Sequence, residues 1–402
     1  MSKPKRLKNL LKFKMPKKSD LMITVSVVVL ILLGTMMIIS TSVGETYGND
    51  WIVIKTIVKQ FLFIFVAYLS MVNVANYFSF ETVSKHIKSI GGFIAFLMVV
   101  CLLFPGAGGA KSWIYLSIPG LGQMSIQPSE FFKVFMIVCM ACFIEKAKRR
   151  NWDWLTIIKG PLAFYGTAVV LLFLQHDLGT LIVLSLICAI CLIIPSHPNL
   201  QQVQKYMTWF LLIGGSFVVF LASDLGIAVL EKLPILEDYQ IKRFTMAANP
   251  FTDEYNHGVQ LINSLYAFAS GGFNGLGIGQ SIQKMQYLPE ALTDYILAIT
   301  VEELGIFGFV VVLVCYGMII YKLFMHAFET KKDGYKIVYI GTSLYLFFHF
   351  VFNVGGVTGL IPLTGIPLLF ISSGASSLVS ICGGIGICQS LISKENRERA
   401  EA

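Results

Sequence analysis

Long apolar runs, broken by short polar segments, repeat along most of this chain. Each run is close to the ~20 residues that an α-helix needs to cross the hydrocarbon core of a bilayer. The pattern predicts an all-α integral membrane protein with about ten transmembrane helices. The predicted spans cover residues 21–40, 57–77, 87–104, 129–145, 155–174, 178–195, 206–224, 295–321, 336–354 and 375–393.

The composition supports this class of protein. Of the 402 residues, 55% are hydrophobic and 13% are charged, whereas soluble domains carry roughly 25% charged residues. All eight cysteines lie in apolar segments. We therefore interpret them as buried small side chains rather than as a disulfide framework or a metal site.

The positions of the basic residues predict the orientation in the membrane. An even number of spans places both chain ends on one side, and most of the 31 lysines and arginines then lie on that side. By the positive-inside rule, that side is the cytoplasm. We predict a basic cytoplasmic tail at 1–20, a membrane domain at 21–393 and a cytoplasmic tail at 394–402. Topology and contacts with anionic membrane lipids explain the net charge of +8, which is not a nucleic-acid signal.

Four segments face outward in this topology, and they hold most of the unusual polar residues. They are 104–127, 175–179, a large extracellular loop at about 225–294 between spans 7 and 8, and 355–375. They are rich in glycine and proline, and irregular backbone at membrane depth persists only where protein buries it or where it lines a wet cavity. The sequence therefore predicts a cavity that opens outward. The inner loops contain no phosphate-binding glycine loop, which argues against ATP-driven work.

Four polar or aromatic residues in or beside the outward segments have more than one interpretation. Glu130 and Lys133 share a helix face, and a structural ion pair or a place on a substrate path explains them equally well. Trp113 has the simpler interpretation of an aromatic at the membrane interface. For Asp177, between two apolar runs, the favoured interpretation is the N-cap of the sixth span.

Asp294 stands at the start of the eighth predicted span. One interpretation is a helix N-cap. The other is a general base, because Lys242, Arg243 and Lys284 precede it in the same loop and an acid near cations suits an anionic substrate. Glu302 lies roughly 80° around the helix from Asp294 and about 12 Å deeper, so the two acids share a side.

Several blocks of the sequence resemble the SEDS family of FtsW, RodA and SpoVE. The longest is SIQKMQYLPEALTDYILAITVEELG at 281–305. Others, in the family's order, are GAKSWI at 109–114, QPSEFFK at 127–133, DLGT at 177–180, RFTMAANPFTDEYNHGVQLINSL at 243–265 and GLIPLTGIPLLFISSGASS at 359–377. Together they cover essentially the whole membrane domain. YLPEA after QK resembles the division branch more than the elongation branch.

The resemblance implies a peptidoglycan glycosyltransferase that polymerises lipid II at the outer membrane face, with inversion at the sugar, for septal wall synthesis. Asp294 occupies the position of the family's essential aspartate and is our candidate catalytic base. The candidate substrate-binding residues are Trp113, Lys111, Glu130, Lys133, Asp177, Lys242, Arg243 and Glu302. The expected partners are lipid II, a class B penicillin-binding protein and other division proteins. No cofactor is certain; a divalent cation, Mg²⁺ or Mn²⁺, is a candidate companion to the cations that hold the diphosphate.

The chain departs from the family pattern at several positions. Ser112 stands where many members have Arg, His176 replaces a Pro and Leu292 replaces a His. Ser373 and Ala375 replace Tyr and Gly. None of these changes removes the key acid, but they indicate a somewhat divergent member.

Three other functions compete with this one. Ten spans with acidic groups within them would also serve a lipid II transporter, but the acids cluster on one side and no candidate relay reaches the inner face. A non-catalytic scaffold for division proteins would leave the outer polar cluster without a purpose. An elongation-type polymerase that controls cell shape is the nearest alternative within the family.

Overall fold

A helix occupies each of the ten apolar runs. The computed structural model describes residues 11–46, 49–106, 109–120, 122–221, 223, 226, 245–247, 249–253 and 258–401. Within them the longer helices are α1 (Leu21–Glu45), α2 (Asp50–Tyr77), α3 (Phe80–Cys101), α4 (Pro128–Arg150), α5 (Trp154–Leu174), α6 (Leu178–Ile193), α7 (Gln201–Leu221), α8 (Val259–Gly271), α9 (Ile296–Glu329), α10 (Asp333–Val357) and α11 (Ala375–Glu401). Helix α8 lies inside the predicted extracellular loop, and the others match the predicted runs.

Seven of the described helices are long and apolar enough to cross a membrane: α1, α2, α3, α5, α9, α10 and α11. Helix α6 is apolar but has only 16 residues. Helix α4 contains Glu130 and Lys133 and ends in a basic turn. The chain is thus an all-α, multi-pass membrane protein, and the count of ten spans stays a prediction.

Two helices extend past the ends that hydropathy predicts. Helix α9 reaches Glu329 and α11 reaches Glu401, beyond the predicted ends at 321 and 393. Ion pairs link the end of α11 to the end of α9 and the turn after it, with Arg399 Nη1 2.6 Å from Glu329 Oε2 and Lys332 Nζ 2.8 Å from Glu398 Oε2. Because these turns are polar, the apolar runs stop short of them.

Close helix contacts form the centre of the bundle. Helix α2 packs along α11, α9 packs against α1, α8 and α10, and α4 packs against α3, α10 and α11. At the contact between α2 and α11, a Cβ on Gly386 would come within 2.5 Å of Met71 O. Small residues therefore permit close backbone approach, as is common between membrane helices.

A β-hairpin forms in the outward segment 104–127, which the hydropathy pattern does not predict. Strand β1 (Ile114–Ile118) pairs antiparallel with β2 (Gly122–Ile126). Gln127 follows β2, and its N–H donates to Ser376 Oγ at the start of α11 over 2.8 Å. The hairpin is thus tied to the same end of the bundle as the start of α11.

The chain re-enters the bundle through α8 and the residues that follow it. On α8, Ser264 Oγ donates to the carbonyl of Val357, the last residue of α10, over 2.8 Å. At the other end of α8, a Cβ on Gly271 would come within 2.1 Å of Val301 O. Val301 lies about 8 Å along α9 from its start, at 1.5 Å per residue. We call residues 272–293, which lead back from this depth to Asp294, the re-entrant segment.

An interruption of α9 receives the re-entrant segment. Gly305 breaks the helix with φ +66° and ψ −163°. The N–H groups of Leu276 and Gly277 donate to the carbonyls of Glu302 and Glu303 over 2.9 and 3.0 Å. Backbone polar groups at membrane depth must find partners within the protein, and the break in α9 supplies them.

Candidate active site

Asp294 lies at the end of the re-entrant segment, immediately before α9. Helix α9 begins at Ile296 and its N-cap is Tyr295, so the capping interpretation does not describe Asp294. The Asp294 N–H donates to Glu290 O over 3.1 Å, and the residue is half-buried. The backbone of Asp294 is thus fixed by a hydrogen bond, and the residue keeps partial exposure.

The segment before α11 forms one wall beside this carboxylate. A Cβ built on Gly365 would lie 3.6 Å from Asp294 Oδ2, and Gly365 has φ +68°. On α10, Asn353 Nδ2 donates to both Asp294 O (2.9 Å) and Ile366 O (3.0 Å). Ser372 Oγ donates to Thr293 O over 2.6 Å. We call residues 363–367 the facing segment; Asn353 joins it to the backbone of Asp294.

Asp177 caps α6, as the sequence predicts. Its Oδ1 accepts from Thr180 N–H over 3.1 Å. Its Oδ2 accepts from Ser112 Oγ over 2.8 Å and from Gln127 Nε2 over 3.2 Å. Asp177 therefore anchors both ends of the hairpin region to α6. The start of α6 also lies beneath the facing segment, because a Cβ on Gly179 would come within 2.8 Å of Thr364 O.

Lys111 and Trp113 flank the anchored Ser112. The Lys111 N–H donates to Gln175 O over 2.9 Å, and its side chain is exposed. Trp113 is half-buried and directly precedes β1. Lys111 and Trp113 thus lie on the loop that Asp177 anchors through its hydrogen bond with Ser112.

Glu130 and Lys133 form a buried ion pair. Lys133 Nζ lies 2.8 Å from Glu130 Oε1, and both side chains are about as buried as any in the protein. Lys133 Nζ also lies 2.8 Å from His349 Nε2, and the Tyr345 hydroxyl donates to the second oxygen of Glu130. Sequence reasoning missed His349 and Tyr345, although a histidine within an apolar run is itself a signal.

Glu302 bonds to the re-entrant segment. Its fully buried carboxylate accepts from the hydroxyl of Ser281 and from the N–H groups of Ile282 (3.1 Å) and Gln283 (3.3 Å). Both oxygens of the Glu302 carboxylate are therefore bonded to groups of the protein itself. The Glu302 carboxylate thus supplies hydrogen-bond acceptors for backbone N–H groups of the re-entrant segment that are not part of a helix or strand.

Lys284 is buried in a second ion pair and is not an exposed loop cation. Its Nζ lies 2.7 Å from Glu303 Oε1 and 2.9 Å from Ser40 Oγ. It is 1% exposed. This is a correction to the expectation that Lys284 is among the cations available to an anionic substrate. The other two, Lys242 and Arg243, lie outside the described residues.

Comparison with known proteins places the chain in a family. The family described as Cell cycle protein (FtsW/RodA/SpoVE) matches residues 20–398. The probable peptidoglycan glycosyltransferase FtsW of Bacillus subtilis (strain 168) is 33% identical over 396 residues, covering 96% of this chain and 95% of the relative.

Two solved structures share the fold. One, on the coordination of polymerization and crosslinking by a peptidoglycan synthase complex, has a TM-score of 0.67 at 22% identity and covers 96% of this chain and 99% of that chain. The other, the rod shape determining protein RodA of Thermus thermophilus, has a TM-score of 0.57 at 19% identity and covers 93% and 96%. With the sequence match over nearly its full length, the chain belongs to the FtsW/RodA/SpoVE family of cell cycle proteins.

Proposed function

We propose that this protein is a peptidoglycan glycosyltransferase that polymerises lipid II at the outer face of the cytoplasmic membrane. The observation that carries the proposal is the setting of Asp294, a half-buried carboxylate at a helix start whose Oδ2 faces the glycine of the facing segment. The name of the Bacillus relative, a probable peptidoglycan glycosyltransferase, supports the reaction class. The FtsW name and the YLPEA motif support a role in septal wall synthesis.

The reaction is a single inverting displacement. The acceptor is a lipid II molecule, and the donor is a glycan chain on a polyprenyl diphosphate. Asp294 accepts the proton of the acceptor sugar hydroxyl as that oxygen forms a bond to the donor's anomeric carbon. The bond from that carbon to the diphosphate oxygen breaks, and the diphosphate leaves with the electron pair. No covalent enzyme intermediate is needed.

The leaving diphosphate needs positive charge close to it. Lys111 suits this role because its side chain is exposed while its backbone is held by Gln175. Lys242 and Arg243 are the other candidates. Trp113 stands on the same loop, where an aromatic face can pack on a sugar or a lipid chain.

The divalent cation stays a prediction. Among the described residues there is no group of three or more His, Cys, Asp or Glu that could hold a metal ion. The steps above use no cation.

We further propose a class B penicillin-binding protein as the partner and the division septum as the location. The structural neighbour from a peptidoglycan synthase complex supports a partner with crosslinking activity. Lipid II and other division proteins complete the expected set of partners.

The test uses the purified protein, its cognate penicillin-binding protein and labelled lipid II. Wild type is compared with Asp294→Asn, which keeps the size of the side chain but is not a base. We expect glycan polymer from wild type and a loss of at least about 10²-fold in the variant. The variant must still bind the partner, which separates loss of chemistry from loss of fold.

Two results would overturn the proposal. Equal polymer from both proteins would exclude Asp294 as the base. No polymer from either protein, with lipid II crossing liposome membranes, would favour a transporter instead.

A further inference from the structure

The facing segment is held from behind by one face of α10. His349 and Asn353 are four residues apart on this helix, a spacing that places them on the same face. They are 0% and 2% exposed. Asn353 bonds to Ile366 O and to the backbone of Asp294, while His349 Nδ1 lies 3.0 Å from Pro367 O. Two neighbouring carbonyls of the segment thus meet two buried side chains.

Both side chains have their hydrogen-bond roles fixed by their partners. Pro367 O can only accept, so His349 Nδ1 carries the proton; the Lys133 ammonium can only donate, so Nε2 accepts. The ring is therefore neutral and joins Lys133 to the facing segment. For Asn353, two carbonyls face the same atom, which must then be the NH₂ nitrogen.

A continuous chain of contacts results. Tyr345 donates to Glu130, Glu130 pairs with Lys133 at 2.8 Å, and Lys133 lies 2.8 Å from His349. From His349 the chain continues to Pro367, two residues from the glycine that faces Asp294 Oδ2. The buried ion pair, which fits either a structural or a functional interpretation, is thereby joined to the wall beside the carboxylate.

We propose that His349 and Asn353 are positioning residues for glycosyl transfer, because they fix the facing segment and the backbone of Asp294 relative to each other. This inference rests on the function proposed above. Gly365 lies beside Asp294 Oδ2, so a shift of the facing segment changes the space next to this carboxylate. A displacement of about 1 Å in such a site costs on the order of 10²-fold in rate, so the two side chains affect turnover without contacting the sugar.

The test measures polymerisation against lipid II concentration for the complex with its cognate penicillin-binding protein. Asn353→Leu and His349→Leu remove the hydrogen bonds at similar volume. We expect kcat to fall about 10- to 100-fold while KM changes less than about threefold, since the diphosphate contacts are elsewhere. His349→Gln keeps one donor and one acceptor, and we expect it to recover most of the rate.

Ser343→Ala is the matched control. Ser343 is fully buried on the same helix, and its Oγ donates over 2.9 Å to Tyr339 O of its own helix. The substitution removes a buried hydrogen bond without touching the facing segment, so we expect wild-type kcat. Partner binding and a single elution peak are required of every variant.

The outcomes separate this inference from the proposed function. Wild-type kcat in both Leu variants would overturn the positioning role and leave the polymerase standing. Equal losses in His349→Gln and His349→Leu would show that the hydrogen bonds of His349 are not what matters. No polymer from wild type or Ser343→Ala would instead be a failure of the proposed function. If a Leu variant does not fold, Asn353→Ser or His349→Ala takes its place and is judged by the same kcat criterion.

Discussion

The buried pair of Lys284 and Glu303 leads to a prediction about stability that also decides a question of function. The sequence suggests Lys284 as a cation for an anionic substrate, whereas in the structure its Nζ lies 2.7 Å from Glu303 Oε1. Both residues are 1% exposed. Lys284→Met keeps most of the side-chain volume but leaves the Glu303 carboxylate without its cation.

The loss of unfolding free energy expected for Lys284→Met depends on the contacts that Glu303 keeps. Removing one partner of a buried ion pair costs about 3–5 kcal/mol. The Ser40 hydroxyl still donates to both oxygens of Glu303, over 2.7 and 2.8 Å, so we expect a value near the lower end. A loss of about 3 kcal/mol is roughly a hundredfold change in the unfolding equilibrium. Replacing both partners, in Lys284→Met/Glu303→Gln, removes the buried charge altogether, and we expect this double variant to lose less than about 1.5 kcal/mol of unfolding free energy.

The free energy of unfolding is measured by SDS titration in mixed micelles, and polymerisation is measured on the same samples. Lys331→Met, at an exposed lysine between α9 and α10, is the control for loss of a positive charge. If Lys284 acts in the fold, the double variant regains both stability and activity. A single variant as stable as the control, or a double variant no more stable than the single one, would refute the reasoning. A stable double variant without activity would return Lys284 to the substrate site.

Two further predictions concern the fold. Gly305→Ala places a Cβ 2.2 Å from Phe273 O at a residue with φ +66°, so we expect the free energy of unfolding, measured by thermal denaturation, to fall by about 1–3 kcal/mol or more. Gly317→Ala on the same helix has nothing within 4 Å of its Cβ and should be neutral or slightly stabilising. Equal effects of the two substitutions would contradict the argument from crowding at Gly305. A hydrogen bond from His326 holds the pKa of the Asp20 carboxyl below its ordinary value of 3.8. Because this pKa is lower in the folded than in the unfolded protein, the ionised carboxylate stabilises the fold at neutral pH, and that stability is lost as the pH falls through the folded-state pKa. We therefore expect wild type to lose stability below about pH 4 and Asp20→Asn to lose less. Parallel curves of unfolding free energy against pH for the two proteins would contradict this.

The sequence predicts the helices well because the bilayer imposes a strong and local signal. An apolar run near 20 residues long is almost always a helix, and a helix is found at each of the ten runs. Helix ends are predicted less well, because the last turns of α9 and α11 are held by charged pairs such as Arg399 with Glu329 that hydropathy counts against a span.

The outward segments are predicted poorly for the opposite reason. The hairpin β1–β2 and the return through α8 depend on partners far away in sequence, such as Gln127 with Ser376 or Leu276 with Glu302. No short-range periodicity encodes such pairs. Helix α8 is itself short, and its neighbours are loop residues rich in glycine.

The candidate site shows the same division. The resemblance to a family indicates Asp294 as the candidate base, and capping chemistry predicts the role of Asp177 at the start of α6, because both signals are local. His349 and Asn353 were missed because each is a single polar residue in an apolar run, and their importance lies in carbonyls at 366 and 367 that another segment supplies. The sequence does not predict the burial of Lys284, because that burial depends on Ser40, which is far away in the chain.

The pairing of the re-entrant segment with α9 constrains how the protein is made. Residues 272–283 leave the ribosome before Glu302 and Glu303, yet their N–H groups need the carboxylate of Glu302 and the carbonyls of both residues. The segment therefore cannot take its final conformation before α9 has been synthesised, which makes the end of the bundle that holds Asp294 one of its later parts to assemble.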